Sequence, residues 1–151
     1  MENVEFLSIP ENRAAVRAIS QRVLAKVEPD ELEVSAGLVD PLIDMAAAGK
    51  VVTVDTSDKA GGFGGADLMV MVVVPVVVAV LGNLLTKLGE LGIDQLKEKL
   101  KQKKEATALA KITVGDIEAV VSYTKSSRGM KRTKELASAV NIVLLEYLEI
   151  H

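Results

Sequence analysis

The sequence has no cysteine, and its single histidine, His151, is the last residue. It therefore offers no disulfide framework, no thiolate metal site and no cysteine nucleophile. Histidine-based acid–base catalysis and nearly all zinc chemistry are excluded for the same reason. We find no pattern typical of a catalytic, cofactor-binding or metal-binding site, and we expect a protein that is not an enzyme.

Aromatic residues are also scarce, at 3% of the chain with no tryptophan. Valine, leucine, isoleucine and alanine must therefore form the core, which a hydrophobic content of 49% allows. A basic cluster lies towards the C-terminus, formed by Lys125, Arg128, Lys131, Arg132 and Lys134. Nucleic-acid binding usually needs more aromatic residues and a higher isoelectric point than about 5.3. We expect no nucleic-acid partner.

Charge is missing from one stretch of 19 residues, Leu68 to Thr86. A helix of that length rises roughly 28 Å, close to the ~30 Å hydrocarbon core of a bilayer. Three interpretations compete: a transmembrane helix, the buried central helix of a soluble fold, and two buried strands separated at Pro75. We favour the transmembrane helix, although no aromatic belt flanks it. The positions expected to insert are Leu68, Val72, Pro75, Val77, Val80 and Leu84.

The stretch separates two halves of opposite charge. Residues 1–67 carry 6 Lys+Arg and 12 Asp+Glu, for a net charge of −6, whereas residues 87–151 carry 12 and 9, for +3. Because positive charge favours the cytoplasmic side, a single span would place the C-terminal half in the cytoplasm. A cytoplasmic location of the whole protein is the alternative.

A basic amphipathic helix follows the stretch, over residues 87–105. Lysines beside a span attract anionic lipid headgroups, so we expect lipid contacts from Lys97, Lys99, Lys101, Lys103 and Lys104. A solvated helix face is the alternative. Within the stretch, small and polar residues permit close approach of helices in lipid. We therefore expect self-association through Ala79, Gly82 and Asn83, and a homo-oligomer.

The acidic N-terminal region, residues 1–59, predicts the order β-α-α-β. A strand over Val4–Ile9 ends at Pro10, and Asn12 is the expected N-cap of a helix running to Val27. The apolar positions of this helix recur every three to four residues and predict a buried stripe of Ala15, Val16, Ile19, Val23 and Val27. A second helix covers Glu31–Ala48, and a strand covers Val51–Asp55.

Two patterns in this half have a structural and a functional interpretation. Asp40 and Asp44 lie one helical turn apart, as paired carboxylates of a hard-metal site would, but an exposed charged face is the favoured interpretation. Residues 60–67 are rich in glycine, yet Asp67 stands where a dinucleotide loop needs its third glycine. We therefore interpret residues 60–67 as a hinge.

The C-terminal region, residues 106–151, predicts a β-hairpin and a helix. The strands are Ala110–Val114 and Ile117–Thr124, with Gly115 and Asp116 as the turn, and the helix is Lys131–Ile150. The predicted fold class is therefore α+β and mainly helical.

The function that this layout favours is a small non-enzymatic protein that inserts into or is anchored in a membrane. Self-assembly would make it a membrane-disrupting effector of a bacterial toxin or defence system. The alternative is a soluble oligomeric adaptor that buries the apolar helix in its core and binds another protein.

Overall fold

The computed structural model describes residues 5–27, 32–48, 65–102, 115–118 and 133–149. Its helices are α1 (Pro10–Val27), α2 (Leu32–Ala47), α3 (Gly65–Leu88), α4 (Ile93–Gln102) and α5 (Thr133–Tyr147), and residues 115–118 form one helical turn. These ranges contain no strand. The α+β prediction is therefore wrong, whereas the mainly helical character is confirmed.

The first predicted strand, Val4–Ile9, is not seen from residue 5 onwards, because residues 5–6 are helical and residues 7–9 form turns. The backbone N–H groups of Ser8 and Ile9 donate to the carbonyls of Glu5 and Phe6, at 3.1 and 3.3 Å. Phe6 and Leu7 are both buried, although they are consecutive. A strand would have pointed them to opposite faces, so the apparent alternation was misleading.

The predicted C-terminal hairpin is contradicted at its turn. Residues 115–118 are helical, and Ile117, expected to begin a strand, is fully buried within that helical turn. The remaining strand residues, 110–114 and 119–124, lie outside the described residues, as does the predicted strand Val51–Asp55. Short β-branched runs fit a strand and a buried helical turn equally well, which explains the error.

Helix α1 is the hub of the described fold, because it packs against α2, α3, α4 and α5. The predicted apolar stripe is confirmed, since Ala15, Val16, Ile19, Val23 and Val27 are all buried. The helix begins two residues earlier than expected, with Pro10 at its first position, where its fixed φ is favourable. Asn12 is therefore inside α1 and is not its N-cap.

Two ion pairs join the exposed sides of α1 and α2. Arg13 pairs with Asp44, and Arg17 Nε lies 2.6 Å from Asp40 Oδ1. All four side chains are substantially exposed, so each pair contributes about 0–1 kcal/mol. The two aspartates are thus on an exposed face, as the favoured interpretation expects, but their pairing with α1 was not predicted.

Helix α3 contains the uncharged stretch and packs against α1, α2 and α4. Every valine and leucine between residues 72 and 88 is buried. The less buried positions are Pro75 and Ala79, which are half-buried, and Asn83, Thr86 and Lys87, which are exposed. Their spacing of three to four residues places them on one side of the helix. Residues 72–88 of α3 therefore have one narrow exposed side.

No single helix in the described ranges is long and apolar enough to cross a membrane. One pair, Val72–Leu88 with Ile93–Gln102, meets the length and composition criteria when the two helices are taken together. That pair is bent by 53° at the connecting turn.

Candidate functional site

The turn between α3 and α4 concentrates the unusual local structure of the described chain. Gly89 has a φ of 70°, which glycine adopts without strain. Its N–H donates to the Thr86 carbonyl at 3.2 Å, and the Glu90 N–H donates to the Leu85 carbonyl at 2.9 Å. The Lys99 ammonium donates to the Leu88 carbonyl at 2.6 Å. Three of the last four carbonyls of α3, those of Leu85, Thr86 and Leu88, thus accept hydrogen bonds from the turn or from α4.

Asn12 fastens this turn to α1. Its Nδ2 donates to the carbonyls of Phe6 and Leu91, at 2.9 and 2.8 Å, and its Oδ1 accepts from the Ile93 N–H at 2.8 Å. The residue is fully buried. It therefore caps α4 from another helix, about 80 residues away in the sequence. Sequence analysis missed this role, because sequence patterns indicate capping only by residues next to the end of the helix.

A pair of carboxyl groups lies beside this contact. A hydrogen bond with Asp94, then burial and the negative charge of Asp94, raise the pKa of Glu11 above its usual 4.5. The Glu11 Oε1 atom also lies 3.0 Å from the position that a Cβ atom would occupy at Gly92. A side chain at Gly92 would thus displace the end of the Glu11 side chain by a few tenths of an ångström.

A pocket of about 290 Å³ lies at the outer side of the turn, and we call it the corner pocket. Its apolar lining comes from Phe6, Gly82, Leu85, Gly89 and Leu91. Glu5, Thr86 and Glu90 complete the lining. Its volume is at the lower limit for ligand sites, so it has room for one large side chain or a small molecule.

A polar surface groove of about 560 Å³ adjoins the corner pocket at Glu90. Its lining consists of Glu90, Asp94, Gln95, Glu98, Lys99 and Gln102, and we call it the acidic groove. Three of these side chains are acidic, and the only basic one, Lys99, lies 3.5 Å from Glu90. In the described chain no group of three or more Asp, Glu, His or Cys residues could hold a metal ion. The groove therefore has the charge of a surface for cations, without the geometry of a metal site.

The structure places most of the predicted membrane-inserting positions inside the protein. Val72, Val77, Val80 and Leu84 are buried in α3, and Pro75 is half-buried. Leu68 belongs to the N-terminal part of α3, whose side chains lie outside the described set.

The three residues expected to mediate self-association do not share one environment. Gly82 is buried, Ala79 is half-buried and Asn83 is exposed. Gly82 lines the corner pocket, and its carbonyl accepts a hydrogen bond from the Thr86 hydroxyl at 2.9 Å. Only Asn83 thus presents an exposed side chain to a second molecule.

Three of the five lysines expected to touch lipid make contacts within the protein. The Lys97 ammonium lies 4.1 Å from the centroid of the Tyr147 ring, Lys99 caps α3, and Lys101 lies 3.6 Å from Glu149. Burial raises the pKa of Tyr147, so its hydroxyl stays neutral beside these cations. Lys103 and Lys104 lie outside the described residues. Lys97 and Lys101 thus connect α4 to the C-terminal end of α5.

No protein-family model, curated protein or solved structure matches this chain at a significant level.

Proposed function

We propose that this chain is a non-enzymatic interaction protein in which α3 is the core helix of a helical fold. The burial of every valine and leucine from residue 72 to 88 supports this proposal. The polar positions of the same segment, Asn83, Thr86 and Lys87, lie together on its exposed side. This arrangement is typical of a core helix with one solvent-facing edge.

Matched substitutions in α3 test the core-helix part of the proposal. Val77→Asp places a charge at a buried position and should leave little folded protein. Asn83→Asp places the same charge at an exposed position and should leave the protein folded, in the supernatant of a detergent-free lysate. Wild-type protein that sediments with membranes, or an Asn83→Asp variant that unfolds, would contradict it.

Photocrosslinking tests the interaction part. A photoreactive residue at Leu91, which is 62% exposed, should give protein adducts in the detergent-free soluble fraction. The same residue at Leu85, which is buried, is the control and should give none. Absence of any adduct from Leu91 and from the other exposed large hydrophobic residues of the described side chains, Met45 and Ile142, would contradict a protein that acts through contacts.

Membrane insertion is the second candidate, favoured by the uncharged stretch and by the bent pair of α3 and α4. Under this hypothesis the protein is a self-assembling, membrane-disrupting effector whose basic half stays in the cytoplasm. Insertion would require Lys97, Lys99 and Lys101 to leave their contacts before reaching headgroups. Asn83→Asp separates the candidates, because a charge within a span costs up to about 2.5–3.5 kcal/mol and should release the protein from membranes.

A further inference from the structure

The corner pocket presents an exposed apolar side chain that the fold does not use. Leu91 is 62% exposed, more than any other large hydrophobic residue in the described ranges. It stands beside Phe6 and Leu85, which are 4% and 2% exposed. A side chain entering the pocket would therefore be enclosed by apolar surface, and it would cover Leu91.

The rim of this pocket carries excess negative charge. Glu5 has no ion-pair partner in the described chain, and Glu90 shares Lys99 with the carbonyl of Leu88. The raised pKa of Glu11 beside Asp94 is a further sign that carboxylates are crowded here. The occupant should thus combine an apolar side chain with positive charge.

The acidic groove extends this requirement along α4. Asp94 and Glu98 are four residues apart on one side of α4, and Glu90, in the turn before the helix, lines the same groove. An extended peptide with its apolar side chain in the corner pocket would place neighbouring basic side chains over this row. The surface fits a short basic segment around one flexible apolar residue.

The chain itself contains such a segment. Residues 125–132 read KSSRGMKR, with four cations, no acidic residue, and Met130 between Arg128 and Lys131. The segment lies outside the described residues. Methionine is unbranched and fills irregular apolar spaces well. We infer that the corner pocket and acidic groove of one molecule bind residues 125–132 of a second copy, a contact that rests on the proposed interaction function.

This contact joins different surfaces of the two molecules, so it is head-to-tail. Such contacts build rings or open chains and do not stop at a two-fold dimer. Exposed charges supply much of the attraction, and they are screened beyond about 10 Å at 0.1 M salt. Association should therefore increase with concentration and weaken as salt is added.

The first test measures the mass of the purified full-length protein by light scattering at low and high salt. Wild-type protein should exceed the 16.1 kDa monomer at low salt and approach it at high salt. Glu5→Lys, at the rim, should weaken self-association by about tenfold, since it replaces an attraction with a repulsion. Glu146→Lys is the matched control on α5, outside both linings, and should leave association unchanged.

The second test exchanges charges between the two surfaces. Glu5→Lys combined with Glu98→Lys changes the charge of the two linings from −3 to +1. Arg128→Glu, Lys131→Glu and Arg132→Glu together change the charge of residues 125–132 from +4 to −2. Each of these two variants should be monomeric alone, and an equimolar mixture should associate again, because each mixed contact pairs opposite charges. Circular dichroism establishes that both variants are folded.

These experiments test the contact between two copies separately from the proposed interaction function. A wild-type protein that is monomeric at low salt, or variants that associate as the wild type does, would overturn it. Loss of association only in the receiving-surface variant would show that another segment or partner occupies the pocket. Adducts from Leu91 to a different protein would leave the interaction function standing while excluding a second copy.

Discussion

Replacing Asn12 with alanine should destabilise the protein by about 3 kcal/mol. The substitution removes three hydrogen bonds of 2.8–2.9 Å and leaves the Leu91 carbonyl and the Ile93 N–H unpaired, whereas the Phe6 carbonyl keeps its bond from the Ile9 N–H at 3.3 Å. A buried polar group without a partner costs about 1–3 kcal/mol. Two such groups would together cost about 2–6 kcal/mol. Water can reach the Leu91 carbonyl, because Leu91 is exposed, whereas the Ile93 N–H is buried, so we expect a total in the lower half of that range.

Urea unfolding followed by far-ultraviolet circular dichroism measures this loss, since the chain has no tryptophan. With a denaturant dependence of about 2 kcal/mol per molar urea, the midpoint should fall by about 1.5 M. Arg17→Ala is the control on the same helix and should cost at most about 1 kcal/mol, because its ion pair with Asp40 is exposed. Asn12→Asp keeps the acceptor for Ile93 but loses both donors, so it should be at least as unstable as the alanine variant. A loss below about 1 kcal/mol for Asn12→Ala would refute the idea that this side chain fastens α4 to α1.

Four further substitutions follow from the same structure, each measured by circular dichroism. Leu81→Ala should cost about 2–5 kcal/mol, since Leu81 is fully buried; a cost near zero would mean that α3 is not in the core. Ser20→Ala should be neutral or stabilising, because its buried hydroxyl has no partner, so a loss would indicate an unseen one. Gly89→Ala should cost about 1 kcal/mol through its positive φ alone, as open space surrounds the new methyl group. The raised pKa of Glu11 means that the folded state binds its proton more tightly than the unfolded state, so the wild type should become more stable as pH falls towards 4.5. Glu11→Gln should reduce this gain in stability. An unchanged pH profile would argue against the pair with Asp94.

The sequence predicts the helices of this fold better than the contacts between them. The apolar stripe of α1 and a second helical region over Glu31–Ala48 were both expected, and the structure has helices at both places. A 3.6-residue period is a strong signal over four or more turns, as in α1. The short strands were wrong where they can be examined, at residues 5–9 and 117–118, because runs of that length carry no decisive period. The predictions were correct for the long helical segments and wrong for the short strands, so the length of a segment mattered more than its composition.

The candidate site depends on contacts that local sequence does not encode. Asn12 and Ile93 are 81 residues apart, and the charges of Glu5 and Glu90 meet only because α1 and the α3–α4 turn are packed together. Pro10 gives one usable signal, since a proline at the first helical position places Asn12 inside the helix and leaves its side chain free to cap another. The basic segment around Met130 was visible in the sequence, but its receiving surface was not.

Average hydropathy cannot distinguish a core helix from a membrane span, because both require a long segment without charge. The positions of the small and polar residues within the segment distinguish the two. In a core helix, small and polar residues fall on the side that faces solvent, whereas lipid surrounds a lone span on all sides and favours no such side. In α3, Pro75, Ala79, Asn83 and Thr86 follow this one-sided pattern, and every intervening valine and leucine is buried. The side of the helix on which Asn83 lies is therefore more informative than the apolar length of the segment, and a charge at Asn83, compared with one at Val77, tests that argument directly.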